Sequence, residues 1–465
     1  MRWTRRALIR DAMVAAGLVT LPGFRVDGLP GVASAASAPE DGLAWKNWAG
    51  DYACRPRLRA APRDEAALVE LLRNATGTIR PVGAGHSFSP LVPCEDTLIA
   101  CDQMSGVIGF DAETMQAEVW AGTRLHELGP ALERVGQALI NQPDIDDQAL
   151  GGALATSTHG TGQGMGSLSS YVTGLTLATP SGDLIECDAD RDAEVFHAAR
   201  CSLGSLGVVT RVRMQNRAPY RLRETTTLVP MDELLAQAEA LRDAHRHMEF
   251  MALPHSGLGL LITTDETEGD EVELAEDPQA VYGLREAWDA VGQNGEVYRQ
   301  ALMQVLGGAT EVRQGPSHRV LAHDRFVRFR EMEYTVPADQ GPACLAEILE
   351  TIEREQIPVI FPIEYRYVSA DDVWLSMFND RDGASISIHE FVDADHRPVF
   401  DAIEPIFWRY GGRPHWGKWH SLGAARLKDR YAHWDDFAKV RDRLDPKGKM
   451  LNAHLSTVLG AEKRG

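Results

Sequence analysis

The fold is decided by residues 80–89, which read Arg-Pro-Val-Gly-Ala-Gly-His-Ser-Phe-Ser. Gly83 and Gly85 lack the Cβ atom that would hold a backbone away from an anionic group, so this loop can offer main-chain N–H groups to a phosphate. His86 follows on the same loop, where its ring can meet something attached to that phosphate. A Rossmann dinucleotide loop requires a third glycine where Phe88 stands. The pattern therefore favours a flavin nucleotide, and a plain glycine turn with capping side chains is the structural alternative.

A second glycine-rich segment occupies residues 148–167, which read Gln-Ala-Leu-Gly-Gly-Ala-Leu-Ala-Thr-Ser-Thr-His-Gly-Thr-Gly-Gln-Gly-Met-Gly-Ser. Its glycines and hydroxyl residues cannot pack a core, but they can surround a ligand with backbone donors and hydroxyl groups. A flexible linker is the alternative, although linkers rarely carry apolar residues such as Leu150 and Leu154 between their glycines. A third segment, Ser-Leu-Gly-Ser-Leu-Gly-Val-Val-Thr, follows at 202–210.

These three segments, in this order, resemble the flavin-binding loops of the vanillyl-alcohol-oxidase-like (PCMH-type) flavoproteins, and most closely those of the sugar-lactone and alditol oxidases. The resemblance implies that the cofactor is FAD, attached covalently through His86 to the 8α carbon of the isoalloxazine ring. It also implies an α+β fold, in which an FAD-binding domain is joined to a substrate-binding cap domain with an antiparallel sheet. The cofactor-binding residues that it assigns are Gly83, Ala84, Gly85, His86, Ser87, Gly151, Gly152, Ser157, Gly160, Gly164, Met165, Gly166, Ser167 and Val208.

The length of 465 residues exceeds what one hydrophobic core usually organises, so two domains are expected. Because the glycine density falls near Tyr220, the FAD-binding domain is predicted at 45–218 and the cap domain at 219–443. Residues 444–465 resemble the closing segment of the family and are expected to return to the FAD-binding domain.

The amino-acid composition limits the classes of molecule that the protein can bind. Lys and Arg together number 47 against 67 Asp and Glu, a formal charge of −20, which opposes binding to nucleic acid or to an anionic membrane. A small neutral substrate suits this charge better. No stretch of about 18 apolar residues occurs, so no transmembrane segment is expected in the mature chain. The six cysteines form no Cys-x-x-Cys pair, which disfavours a zinc site, and their spacing leaves disulfides and free thiols both open.

The N-terminal residues 1–38 have the pattern of a twin-arginine signal peptide. Arg5 and Arg6 precede a short apolar stretch at 12–21, and small residues follow up to Ala38. An amphipathic N-terminal helix is the alternative interpretation. The signal predicts export of the folded flavoprotein to the periplasm or the exterior.

The sequence Ile363-Glu364-Tyr365-Arg366-Tyr367 carries the first candidate catalytic groups. On a strand, Glu364 and Arg366 project from one face, where a carboxylate and a guanidinium can bind vicinal hydroxyls and stabilise an oxygen that gains negative charge. An ion pair on an exposed strand is the structural alternative. The resemblance assigns Glu364 and Arg366 to substrate binding and catalysis.

Two further candidates lie in later segments. Residues 413–420 resemble a His-Trp-x-Lys segment of the family, which makes Lys418 the group beside flavin and substrate. His389 alternates with apolar neighbours in a predicted strand at 384–392, and it is either a base or a core histidine. His415 and His420 as metal ligands lack a third ligand at recognisable spacing, so no metal is expected.

The resemblance implies oxidation of an aldono-1,4-lactone of the L-gulono or D-arabinono type to a 2-keto product, with electrons passing to oxygen or another acceptor. Alditol oxidation is the runner-up, although Gly152 stands where alditol oxidases carry a serine that contacts the polyol. An electron-transfer flavin module without a substrate is the third hypothesis, and the joint presence of Glu364, Arg366 and Lys418 opposes it.

Overall fold

The computed structural model describes residues 44–274, 278–307 and 310–463. The predicted signal peptide therefore lies outside the described residues. The described part combines helices with antiparallel and parallel sheets, which confirms the α+β class.

Two sheets and a short hairpin form the N-terminal half. The hairpin is β1 with β2, a parallel sheet has the order β3-β5-β4, and an antiparallel sheet has the order β6-β7-β10-β8-β9. Their strands are β1 Trp45–Lys46, β2 Ala53–Cys54, β3 Leu58–Ala60, β4 Ile79–Val82, β5 Thr97–Ala100, β6 Val107–Asp111, β7 Gln116–Trp120, β8 Val172–Ala178, β9 Leu184–Asp188 and β10 Val208–Gln215.

An eight-stranded antiparallel sheet follows, in the order β14-β11-β13-β12-β16-β17-β15-β18. Its first strand begins at Arg221, after β10 has completed the five-stranded sheet. Its strands are β11 Arg221–Pro230, β12 His247–Leu253, β13 Leu258–Glu266, β14 Thr310–Pro316, β15 Phe329–Pro337, β16 Ile363–Val368, β17 Gly383–Phe391 and β18 Arg413–Pro414.

The α-helices of the described residues connect and cover these sheets. They span Glu65–Asn74, Leu125–Glu133, Leu150–Ala155, Ala193–Ala199, Met231–Ala244, Ala280–Ala290, Gly295–Leu306, Ser317–Val320, Gly341–Glu355, Arg397–Arg409, Ala424–Leu427, Trp434–Leu444 and Ala453–Leu459. None of the described helices is long and apolar enough to cross a membrane. The six cysteines are free thiols in this structure.

The eight-stranded sheet has one apolar face, because alternate side chains of each strand point the same way. Phe250 and Tyr365 stack there with ring centroids 4.6 Å apart, and Tyr334 stacks on Phe407 at 4.9 Å. The helices Gly341–Glu355 and Arg397–Arg409 pack on this face. The opposite face carries the charged side chains of the same strands and forms one wall of a cavity.

Arg80 connects three separate chain segments beneath the first glycine loop. Its side chain is buried, and it donates hydrogen bonds to the carbonyls of Leu91 (2.8 Å), Leu203 (2.7 Å), Gly204 (2.8 Å) and Met450 (2.6 Å). Burial lowers its pKa to about 10, so it keeps its charge at neutral pH. This guanidinium therefore holds the C-terminal segment and the third glycine segment against β4.

Replacing Arg80 tests this connection. Arg80→Met removes the donor from four buried carbonyls, and we expect the unfolding free energy to fall by about 3 to 5 kcal/mol. The matched control is Arg59→Met on strand β3 of the same sheet, since Arg59 is exposed and donates to the carbonyl of Ala44. The control should change stability by roughly 0.5 kcal/mol or less. Equal shifts of the two urea midpoints would contradict the assignment.

Candidate active site

A cavity separates the glycine loops from the charged face of the eight-stranded sheet. One wall comes from residues 80–88, 149–152 and 202–209, and the other from β15, β16, β17 and residues 415–418.

The first glycine loop presents a row of main-chain donors to the cavity. Among the described residues, the N–H groups of residues 83–87 have no acceptor within hydrogen-bonding distance. The loop itself is held from both sides, because the carbonyl of Gly85 accepts from Trp48 N (2.8 Å) and Phe88 N donates to Gly417 O (2.6 Å). Gly85 has a φ of +74°, a conformation that favours glycine. Such a row of free donors suits the pyrophosphate of a dinucleotide.

The second glycine segment approaches this loop closely. A Cβ atom on Gly83 would lie 3.0 Å from the Cβ of Ala149, so a side chain at Gly83 would push the two segments apart. Gly152 differs, because a Cβ there would meet only the Cα of Gly83 at 3.9 Å. Both glycines line the cavity, and their missing side chains keep it open for a flat ring system. The residues present therefore fit FAD.

His86 faces the cavity from the end of the first loop. Its ring stacks on Trp48 with centroids 5.4 Å apart and planes 23° from parallel. Burial lowers the pKa of His86 to about 4. At neutral pH its imidazole is neutral and keeps a nitrogen lone pair, which bond formation to a carbon atom requires.

Arg366 lies at the centre of the charged sheet face. Its Nη2 is 2.9 Å from Glu364 Oε2 on the same strand and 3.4 Å from Glu333 Oε2 on β15. All three side chains are at least nine-tenths buried. Burial alone would lower the pKa of Arg366, but the surrounding carboxylates raise it above its ordinary value. Arg366 is therefore a permanent buried cation.

Glu333 accepts hydrogen bonds from three directions. Besides Arg366, it is bonded to His159 Nε2 (2.7 Å) and Ser385 Oγ (2.8 Å). Burial opposes its charge, but His159 and Arg366 outweigh that effect and hold the pKa of Glu333 well below its usual range. His415 lies beside this group, and its pKa is lowered well below the ordinary value by burial. Glu333 is a fixed anion that orients Arg366.

Lys418 is held by a different carboxylate. Its ammonium group forms an ion pair with Glu331, which is also the residue opposite His389 in the β15–β17 register. Burial would raise the pKa of Glu331, but Lys418 and then His389 act in the opposite direction and lower it. Lys418 therefore enters the cavity as a cation beside an ionised carboxylate.

His389 is oriented by a main-chain carbonyl. Its Nδ1 is 3.0 Å from the carbonyl oxygen of Pro362, which can only accept, so Nδ1 carries the hydrogen. Nε2 therefore has the lone pair, and it lies 3.7 Å from Glu331 Oε1. Burial lowers the pKa of His389, so the ring is neutral at rest. This histidine can accept a proton at Nε2 and would then face a carboxylate.

The structure brings most sequence-predicted residues to the cavity and leaves others outside it. The cavity is lined by Gly83, Ala84, Gly85, His86, Ser87, Gly151, Gly152, Val208, Glu364, Arg366, His389 and Lys418. Its wall does not include Ser157, Gly160, Gly164, Met165, Gly166 or Ser167.

Thr156, Thr158 and His159 of the second glycine segment line the cavity, whereas Ser157 and residues 160–167 are not part of its wall. Ser157 bonds to Ser376 Oγ (3.0 Å) and Ser167 donates to Asp371 (2.6 Å), so their hydroxyls serve the interface with the cap domain. Gly162 N donates to Tyr367 O (2.9 Å) at the end of β16. Beyond helix Leu150–Ala155, this segment thus joins two parts of the protein.

Sequence reasoning missed four groups that the structure places here, namely Glu331, Glu333, His159 and Arg325. Strand β15 begins at Phe329 and carries both glutamates on its cavity face. The available signal was the alternation of Phe329, Glu331 and Glu333, which places them on one side of a strand. The metal-ligand alternative paired His415 with His420, but His415 lies with His159 and Glu333 instead.

Comparisons with known proteins agree with this geometry. Residues 212–458 match the D-arabinono-1,4-lactone oxidase family, and residues 56–188 match an FAD binding domain. L-gulono-1,4-lactone dehydrogenase of Mycobacterium tuberculosis is 33% identical over 436 residues, covering 90% of this chain and 99% of that protein. L-gulonolactone oxidase of Bos taurus is 30% identical over 433 residues, covering 90% and 98%.

Among solved structures, cholesterol oxidase from B. sterolicum superposes with a TM-score of 0.74 at 18% identity, over 90% of this chain and 96% of that one. This likeness confirms the two-part flavoprotein fold. The family match and the two relatives confirm FAD as the cofactor and lactone oxidation as the activity. The chain belongs to the D-arabinono-1,4-lactone oxidase family and is an FAD-dependent oxidoreductase of aldono-1,4-lactones.

Proposed function

We propose that the protein oxidises the carbinol next to the carbonyl of an L-gulono- or D-arabinono-type 1,4-lactone, giving the 2-keto product. The observation that carries this proposal is the pair of cations, buried Arg366 and half-buried Lys418, each paired with its own carboxylate and both lining the FAD cavity. An electron-transfer module without a substrate has no use for two such groups.

Bound FAD supplies the acceptor for the hydride that leaves the carbinol carbon. The protein must lower the cost of removing the hydroxyl proton, because an alkoxide is unstable in a buried site. Arg366 and Lys418 stabilise the oxygen as negative charge develops on it. Glu364, held by Arg366, accepts a hydrogen bond from a neighbouring hydroxyl and orients the diol.

His389 takes the hydroxyl proton at Nε2. Its Nδ1–H is committed to Pro362 O, so Nε2 is the nitrogen that is free to react. Glu331 lies beside Nε2 and stabilises the imidazolium that forms. Glu364 is the weaker candidate for the base, because its carboxylate is already paired with Arg366.

We further propose that molecular oxygen is the electron acceptor. This assignment is independent of the proposed substrate. Gly151 and Gly152 line the cavity, and the space that a Cβ of Gly152 would occupy is open apart from Gly83. A small molecule can enter such a gap. The relatives include both a dehydrogenase and an oxidase, so their names do not decide the acceptor.

The function is tested by anaerobic reduction of the purified flavoprotein. L-gulono-1,4-lactone or D-arabinono-1,4-lactone should bleach the flavin, whereas xylitol should do so at least about 100-fold more slowly, because Gly152 offers no side chain to a linear polyol. Exposure to air should then restore the absorbance spectrum of the oxidised flavin within the time of one catalytic turnover. Faster reduction by xylitol would favour alditol oxidation, and no reduction by either class would favour an electron-transfer module.

We further propose that His86 is bonded covalently to the flavin. Its neutral ring at the end of the phosphate-binding loop supports this link. Acid-denatured wild-type protein should retain the yellow colour in the pellet, and His86→Ala should release it. Free flavin in the wild-type supernatant would contradict the covalent bond without affecting noncovalent binding.

Substitutions of the two cations test their catalytic role. Arg366→Ala or Lys418→Ala should slow flavin reduction about 100-fold or more, since one donor to a developing oxyanion is worth about 3 kcal/mol in the transition state. Stopped-flow absorbance measures this half-reaction without involving the acceptor. The control is Arg409→Ala, an exposed arginine that pairs with Glu347 away from the cavity. Near-wild-type rates in both cavity variants would refute the proposed roles.

We also propose export by the twin-arginine route, on the pattern of Arg5 and Arg6 before an apolar stretch. This route carries folded protein, which suits an enzyme that acquires its flavin before export. Replacing both arginines with lysine should leave the flavoprotein in the cytoplasm. Unchanged recovery from the periplasm would contradict the assignment.

A further inference from the structure

A second cavity of about 30 Å³ lies behind Arg366. Arg366 and Asp144 line both this cavity and the FAD cavity, so they form the wall between the two. The other lining side chains are largely polar, and water takes about 30 Å³ per molecule. The second cavity can therefore hold about one water molecule next to Arg366.

A third cavity of about 570 Å³ connects this region with the surface. His323 lines both the second and the third cavity, just as Arg366 lines both the FAD cavity and the second cavity. The third cavity opens to solvent, since its lining side chains of Arg319 and Glu271 are 59% and 43% exposed. Polar cavities thus succeed one another from the active site to the exterior.

Glu249 is the titratable group nearest to Arg366 within the second cavity. It lies on β12 directly opposite Arg366 on β16, and it lines the second cavity. The charged groups that face it are Glu364 and Arg366 from β16, Glu224 from β11, and His323. Burial and then the carboxylate of Glu364 raise the pKa of Glu249 to about 7. Its carboxyl group can therefore gain and lose a proton near neutral pH.

His323 provides the next step outward. Its Nδ1 lies 2.7 Å from Asp144 Oδ1 and its Nε2 lies 3.3 Å from Glu224 Oε1. Burial would lower its pKa, but the hydrogen bond to Glu224 outweighs that effect and raises it. A histidine of this kind exchanges protons in the physiological range.

We propose that Glu249 and His323 form a proton outlet that carries the substrate's hydroxyl proton from the active site to solvent. The proposal rests on the proposed function, in which each carbinol loses one hydride to FAD and one proton to His389. The breaking O–H bond leaves its electron pair on oxygen, which becomes the carbonyl of the product. The hydride passes to the cofactor, and the proton left on His389 reaches solvent through the outlet; an equivalent proton is taken up when oxygen is later reduced to hydrogen peroxide.

The route follows the charged groups in order. The reactive atoms of His389 and Glu364 lie within 4.8 Å of each other, a separation that one water molecule can bridge for proton transfer. Glu364 acts on Glu249 across the sheet, and water in the second cavity joins Glu249 to His323. His323 then releases the proton into the third cavity. Glu249 and His323 are thus relay groups, and neither touches the substrate in this proposal.

The test separates proton release from hydride transfer. Wild-type protein, mixed anaerobically with L-gulono-1,4-lactone in weak buffer containing a pH-indicator dye, should release its proton in step with flavin bleaching. In Glu249→Gln and in His323→Gln, release should lag behind bleaching by about tenfold or more, because the relay has lost a titratable group. Glu249→Asp keeps a carboxyl group and should shorten the lag.

The matched control is Glu390→Gln. Glu390 is also a buried carboxyl whose pKa burial raises to about 7, but it bonds to Phe391 N and lines none of the three cavities. Its variant should release protons in step with bleaching. Synchronous release in both relay variants, equal slowing of bleaching and release, or a lag in the control would each overturn the outlet. If the lactone does not bleach the flavin of the wild-type protein, that result contradicts the proposed function itself and not only the proton outlet.

Discussion

Arg366 is the group on which the rest of the active site depends, because a buried guanidinium requires carboxylates and those carboxylates require further partners. Removing one ion from water costs several kcal/mol, and only close opposite charges and hydrogen bonds offset that cost. The carboxylates of Glu364 and Glu333 balance the positive charge of Arg366. Hydrogen bonds from His159 and Ser385 then stabilise the charge of Glu333. The charged face is therefore one connected network, in which the state of each group depends on its neighbours.

The register of the sheet makes this network possible. Glu331 is opposite His389, and Arg366 is opposite both Glu249 and Ser385, because β12, β16, β17 and β15 pair as antiparallel neighbours. A slip of one residue would turn the charges toward the apolar helices. The stacked rings of Phe250 and Tyr365 on the other face oppose such a slip. Packing on one face thus fixes the chemistry on the other.

The sequence was most informative where chemistry is local. The glycine loop at residues 80–89 and the alternation around Glu364 are each decided within a few residues, and the structure has the corresponding loop and strand. Glu331 and Glu333 were missed because consecutive charges on an amphipathic pattern usually indicate a solvated face. Their burial depends on partners 33 residues or more away in the chain, which no local pattern reveals, as the ion pair of Glu331 with Lys418 illustrates. The hydroxyl groups of Ser157 and Ser167 bond to Ser376 and Asp371, and the assignment of these two serines to the cofactor stays a prediction.

Glu331 and Glu333 of β15 differ in how far their side chains can move when the charge of a neighbouring group changes. Glu333 already receives hydrogen bonds from His159, Ser385 and Arg366, so it cannot adjust without leaving a buried donor unpaired. Glu331 is joined to Lys418 and stands 3.7 Å from His389 Nε2, a distance that leaves room to approach. In the proposed mechanism, the positive charge that His389 gains with the proton strengthens its attraction to Glu331 while Lys418 is drawn toward the substrate oxygen. In that mechanism Glu333 maintains the geometry of the site, and Glu331 redistributes its negative charge between His389 and Lys418.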